Sequence, residues 1–127
     1  MKTASFRTYT GPGRISIARY APRGTPAGFR VHQDLAPSAD MLRLSLVEYR
    51  PRYAAILDRL DPREQWELLH AKAGGAEPVL LCWERPPLDD RNFCHRRLVA
   101  AWFEQHLGVE VPELYETGDI FAEGVAP

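Results

Sequence analysis

Five residues hold most of the reactive chemistry of this chain: Cys82 and Glu84 in the run Leu80-Leu81-Cys82-Trp83-Glu84, and Cys94, His95 and Arg96 beginning ten positions after the glutamate. Both cysteines of the protein are among them. An apolar run that ends in Cys and Glu reads as a buried strand delivering polar groups at its C-terminal end. Cys94 opens the amphipathic segment 94 to 107, so its thiol stands at a helix start. Unpaired backbone N–H groups, the positive end of the helix dipole and the side chains of His95 and Arg96 all favour thiolate there. Cys94 is therefore a candidate nucleophile, His95 a candidate general base or a group that orients Glu84, and Glu84 a candidate acid, base or hydrogen-bond acceptor. Arg96 and Arg97 occupy adjacent helical positions, which point about 100° apart, so only one can face the strand end. Arg96 is assigned that inner place and Arg97 a solvated one.

Each of these residues also has a structural reading. A free Cys is commonly a small buried hydrophobe, a His at a helix start often caps or faces solvent, and Glu84 could be tied up in a salt bridge to Arg19 or Arg96. Cys82 shares its strand face with Glu84, and with Cys94 and His95 it would make a Cys, Glu, Cys, His metal set. The spacing matches no zinc pattern and there is no CxxC, so no metal and no cofactor is assigned. The phosphate-cradling GxxxxGK[ST], the GxGxxG fingerprint and the GxSxG elbow are absent, and Arg96 follows Cys94 too closely for the Cys-x5-Arg loop of tyrosine phosphatases.

The elements that would position these groups begin with two short strands, in 3 to 9 and 14 to 19, separated by the turn Gly11-Pro12-Gly13. Arg19 closes the second. If that strand runs parallel to the Leu80 strand, Arg19 reaches the same sheet edge and can clamp an anion. Residues 20 to 37, with Pro22, Gly24, Pro26, Gly28 and Pro37, read as a long loop of the kind that closes over a ligand. Ser38 is expected to cap a helix beginning Ala39-Asp40-Met41, which Pro51 interrupts or kinks before a second helix over 52 to 60. Asp61-Pro62 starts a third that stops at Gly74-Gly75. Pro78 to Glu84 is the central strand, and Val79-Leu80-Leu81 lacks alternation, as in a strand covered on both faces, so helices are expected on both sides of the sheet. A polar loop over 85 to 93 precedes the Cys94 helix, closed by Gly108, and Val109-Glu110-Val111 reads as a last strand. Tyr49, Tyr53, Trp66, Trp102 and Phe103 recur at helical spacing and read as core, while His32, His70 and His106 have no evident partners.

At 127 residues, 45% hydrophobic and 26% charged, the chain suits one α/β domain over 1 to 117, followed by a flexible tail over 118 to 127. The expected architecture is three layers, with a small, mostly parallel sheet flanked by helices. The net charge of -1 gives no general pull toward nucleic acid, although Arg7, Arg14, Arg19, Arg23 and Arg30 concentrate in the N-terminal third. No run approaches the length of a membrane span and the start lacks a signal-peptide core, so a cytoplasmic location is expected. There, a structural disulfide between Cys82 and Cys94 is less expected than two thiols sharing a pocket, with a transient redox bond as an alternative.

Ile15-Ser16-Ile17-Ala18-Arg19, Leu35-Ala36-Pro37, Leu80-Leu81-Cys82-Trp83-Glu84 and Cys94-His95-Arg96 with Leu98-Val99-Ala100, in this order, resemble the DUF488 family, a group of small bacterial, archaeal and phage proteins of unknown function. The likeness spans about residues 3 to 116. It implies a composite pocket at Arg19, Cys82, Glu84, Cys94, His95 and Arg96 on an α/β scaffold, and it carries no reaction with it. Three roles remain open: an enzyme acting on an anionic or nucleotide-like small molecule, a phosphate- or nucleotide-binding module, and a structural protein whose Cys, Glu and Arg cluster is a buried polar network.

Overall fold

The computed structural model describes residues 1–84 and 93–114. Its sheet has four parallel strands, β1 (Lys2–Ser5), β2 (Arg14–Ser16), β3 (Arg30–Val31) and β4 (Val79–Cys82), in the order β1-β4-β2-β3. Three helices accompany it, α1 (Leu46–Asp58), α2 (Pro62–Ala73) and α3 (His95–Leu107). This is the expected single α/β domain. β4 is paired on both edges, with Ile15 of β2 opposite Leu80 in parallel register, and its unbroken apolar run is fully buried because both of its faces are covered.

The two sheet faces are closed differently. Ile15, Ile17 and Leu80 face the helices, packing with Tyr53, Leu57, Leu69, Val99 and Phe103. Ala4, Val79 and Leu81 face the other way and are covered by Phe6, Tyr9, Ala18, Ala21 and Leu114, none of them helical. Helices therefore cover one face among the described residues, where both were expected. A sheet four residues deep needs only a few bulky side chains from adjoining turns to close its second face.

Sequence signals at the helix ends hold where they are local. Asp61 caps α2 by accepting from the backbone N–H groups of Arg63 (2.9 Å) and Glu64 (3.3 Å), and Gly74 ends it in the left-handed conformation at φ 63°. We expect Asp61→Ala to cost about 1 kcal/mol of stability in urea denaturation. The first helix departs from expectation. Ala39–Arg43 is a short 3-10 turn, and α1 starts later, capped by Ser45 in a reciprocal box with Glu48. It then runs through Pro51 without a break. Pro51 removes the N–H that would bond the carbonyl of Val47, but Val47 is 83% exposed, so that carbonyl lies on the solvated side.

Residues 20 to 37 are more structured than a plain loop. They contain β3 and the 3-10 turn Gln33–Leu35, and Arg14 pins their middle, donating to the carbonyls of Pro26 (2.9 Å) and Ala27 (2.5 Å). His32 is buried between Gln65 Oε1 (2.6 Å) and Lys72 Nζ (2.8 Å). The last predicted strand, 109 to 111, is instead a single parallel bridge between Thr3 and Glu113. The polar loop over 85 to 92 and the predicted tail lie outside the described residues.

Candidate functional site

Because β1, β2 and β4 run parallel, their C-terminal ends meet at one sheet edge, where α3 begins. Hydrogen bonds fix this edge: Ile17 N–H donates to Leu81 O (3.1 Å), Phe6 N–H to Cys82 O (3.0 Å) and the Ser5 hydroxyl to Trp83 O (3.0 Å). Beyond it opens a cleft of about 480 Å³, within the size range of small-molecule sites. Arg19, Cys82, Glu84, Cys94 and His95 all line it. The parallel pairing of β2 with β4 is what brings Arg19 to this edge.

Cys82, at the end of β4, and Cys94, the N-cap residue of α3, are joined as a disulfide with Cα atoms 6.7 Å apart. This is the bonded state that stood as the alternative to two thiols sharing a pocket. The strand end and the helix start face each other at the sheet edge, which puts the two sulfurs within bridging reach. Donor atoms of Cys82, Cys94 and His95 all lie within 4.8 Å of one another, and Glu84 is outside this group. As thiolates with a neutral imidazole they would suit a soft metal; joined to each other the two sulfurs do not.

His95 is buried against the ring of Tyr53, and its Nε2 lies 2.6 Å from Ile17 O. A carbonyl only accepts, so Nε2 carries the proton and Nδ1 is left as a bare lone pair, 3.7 Å from Cys94 Sγ. Burial pushes the imidazole down to a pKa of about 4; the Arg96 charge works in the same direction and the bond to Ile17 against it. His95 is therefore neutral at physiological pH.

Arg96 does not line the cleft. It is 0% exposed and makes a bidentate pair with Glu113, with Nε at 3.0 Å from Oε1 and Nη2 at 2.7 Å from Oε2. Its remaining arm, Nη1, donates to Cys82 Sγ at 3.4 Å. Arg96 is thus inside, the place assigned to it over Arg97, but committed to a carboxylate and a sulfur. Arg97, expected in solvent, is half-buried and donates to Thr3 Oγ1 (2.9 Å) and Val111 O (2.8 Å).

Several lining residues were not legible in advance. Tyr49, read as core, also borders the cleft, and its hydroxyl pKa is raised by burial and then by the charge of Glu84. Arg43, Tyr20 and Trp83 border it too. The indole N–H of Trp83 donates to Tyr20 O (2.6 Å), tying the end of β4 to the segment after β2. Glu113 had one available signal, a carboxylate just after the Val111-Pro112 pair in a chain with a buried arginine to satisfy.

The model of a family described as the Active DUF488-N3 subclade matches residues 2–107. The chain belongs to the DUF488 family. No curated protein and no solved structure matches it. The matched span of this DUF488 protein contains every cleft-lining residue named above, while Glu113 lies beyond it. Among the described residues of this family member, no helix is long and apolar enough to cross a membrane.

Proposed function

We propose that this protein is an enzyme acting on an anionic small molecule, with Cys94 as nucleophile in the reduced state. The observation that carries this reading is the bare Nδ1 of a buried, neutral His95 beside Cys94 Sγ, on the wall of a cleft that Arg19 also lines. His95 accepts the thiol proton, and the resulting thiolate is favoured by the orphan N–H groups at the start of α3. Formation of that thiolate in turn stabilises the imidazolium, offsetting the effect of burial on His95. Glu84, half-buried at the end of β4, serves as the second proton-transfer group. Arg19 and Arg43 hold the anion, and Arg96, bound to Glu113, positions Cys82.

In a reducing cytoplasm the Cys82–Cys94 bond would open, releasing two thiols for each two-electron reduction. Cys82, 3.4 Å from the Arg96 guanidinium, is then stabilised as the departing thiolate. The description of the matched subclade as active supports an enzymatic reading over a purely structural one. The cluster does contain a buried network, at Arg96 and Glu113, but it lies behind the cleft wall and leaves the cleft itself open.

Alkylation of the Cys82→Ser protein by iodoacetate and iodoacetamide tests the reading, since the two differ in charge. We expect the iodoacetate-to-iodoacetamide rate ratio to exceed that of 2-mercaptoethanol about fivefold, the effect of one screened ion pair. Arg19→Gln should remove most of that excess. A ratio equal to that of 2-mercaptoethanol and indifferent to Arg19→Gln would overturn the assignment.

A further inference from the structure

Six large apolar or aromatic side chains are exposed among the described residues, and three of them, Tyr20 (62%), Leu42 (55%) and Trp83 (41%), line this cleft. Trp66 and Trp102 instead pack with the core. Exposed aromatic surface is costly to maintain, and its concentration at the mouth of a site points to a ligand with an apolar, planar part. The aromatic pair is also held in place. Trp83 Nε1 donates to Tyr20 O, and the Arg19 guanidinium carbon sits 5.7 Å from the centre of the Tyr20 ring. Arg19 thus presents a flat cation beside an aromatic face, a surface on which a second planar group can stack.

We infer that the anion bound in this cleft carries an aromatic ring, and that the substrate class is the mononucleotides: the base lies on the Trp83 and Tyr20 rim and the phosphate meets Arg19 and Arg43. This deepens the preceding proposal and rests on it for the anion. A free nucleotide fits better than a strand. The chain carries a net charge of -1, and among the described residues two arginines and no lysine line the cleft, whereas a polymer backbone calls for a basic track. The volume of about 480 Å³ also suits a ligand of nucleotide size.

Calorimetric titration of the full chain with AMP and with ribose 5-phosphate separates the ring from the anion. AMP should bind about tenfold more tightly, the usual contribution of one stacked base. Trp83→Ala should bring AMP down to the affinity of ribose 5-phosphate while leaving ribose 5-phosphate itself unchanged. Trp83→Phe, which keeps a ring and loses the bond to Tyr20 O, should retain the preference. Arg19→Gln should weaken both ligands. Equal affinities for the two ligands, unmoved by Trp83→Ala, would overturn the aromatic inference and leave the anion reading standing. Binding of neither ligand to a folded protein would overturn both.

Discussion

Arg96→Met should lower the unfolding free energy by roughly 3–5 kcal/mol, the cost of leaving a buried charge without its partner. Against a typical total of about 5–15 kcal/mol this is a large fraction of the fold's stability. The arginine is fully buried and the Glu113 side chain is 8% exposed, so neither charge can turn to water when the other is removed. Thr3 Oγ1, which donates to Glu113 Oε1 at 2.6 Å, would be the main remaining donor to the carboxylate. Glu113→Leu should cost a similar amount by stranding the guanidinium, whose other hydrogen-bond partner among the described residues is Cys82 Sγ. The double variant, with both charges gone and apolar volume in their place, should recover most of the loss. Urea denaturation of the four proteins measures this directly, and a loss below about 1 kcal/mol in either single variant would show that the pair is solvated. The result also separates two roles for Arg96. A substrate-binding arginine would lose ligand affinity with little change in stability, whereas a brace behind the cleft changes stability first.

That arginine illustrates where sequence stops being informative. The helix period separates Arg96 from Arg97 without saying which is inside, and the carboxylate that Arg96 meets is 17 positions later, in a segment that pairs with β1 through a single bridge. No spacing rule encodes a contact of that kind. His32 is similar: its partners Gln65 and Lys72 are brought to it by the packing of α2, 33 and 40 positions away. Local signals fared better because their physics is local. Asp61-Pro62 and Gly74 bound α2 through bonds within a turn, and the apolar run of β4 needs only burial on both faces. The C-terminal edge of a parallel sheet then gathers Arg19, Cys82, Glu84, Cys94 and His95 at one cleft without further information. Tyr20 and Trp83 escaped notice there because an exposed aromatic cannot be told from a buried one until the chain is folded.

Acid should destabilise this protein through His95 more than through any single surface carboxylate. The imidazole has a pKa of about 4 in the folded protein and about 6.5 when unfolded, so between these values the unfolded chain binds the extra proton. Stability associated with neutral His95 is complete above pH 6.5 and is lost progressively as pH falls toward 4. The loss amounts to roughly 3 kcal/mol over that window. His95→Gln offers an amide N–H to Ile17 O without a titrating ring. It should be less stable than wild type at pH 7, where it gives up the packing against Tyr53, but that deficit should shrink by roughly 3 kcal/mol on going to pH 4. Exposed carboxylates such as Asp40 and Glu77 titrate equally in both proteins and cancel in the difference. Urea denaturation of the oxidised proteins from pH 4 to pH 7 supplies the comparison. A deficit independent of pH would mean that His95 reaches solvent when protonated, and it would remove the buried, neutral base on which the activation of Cys94 depends.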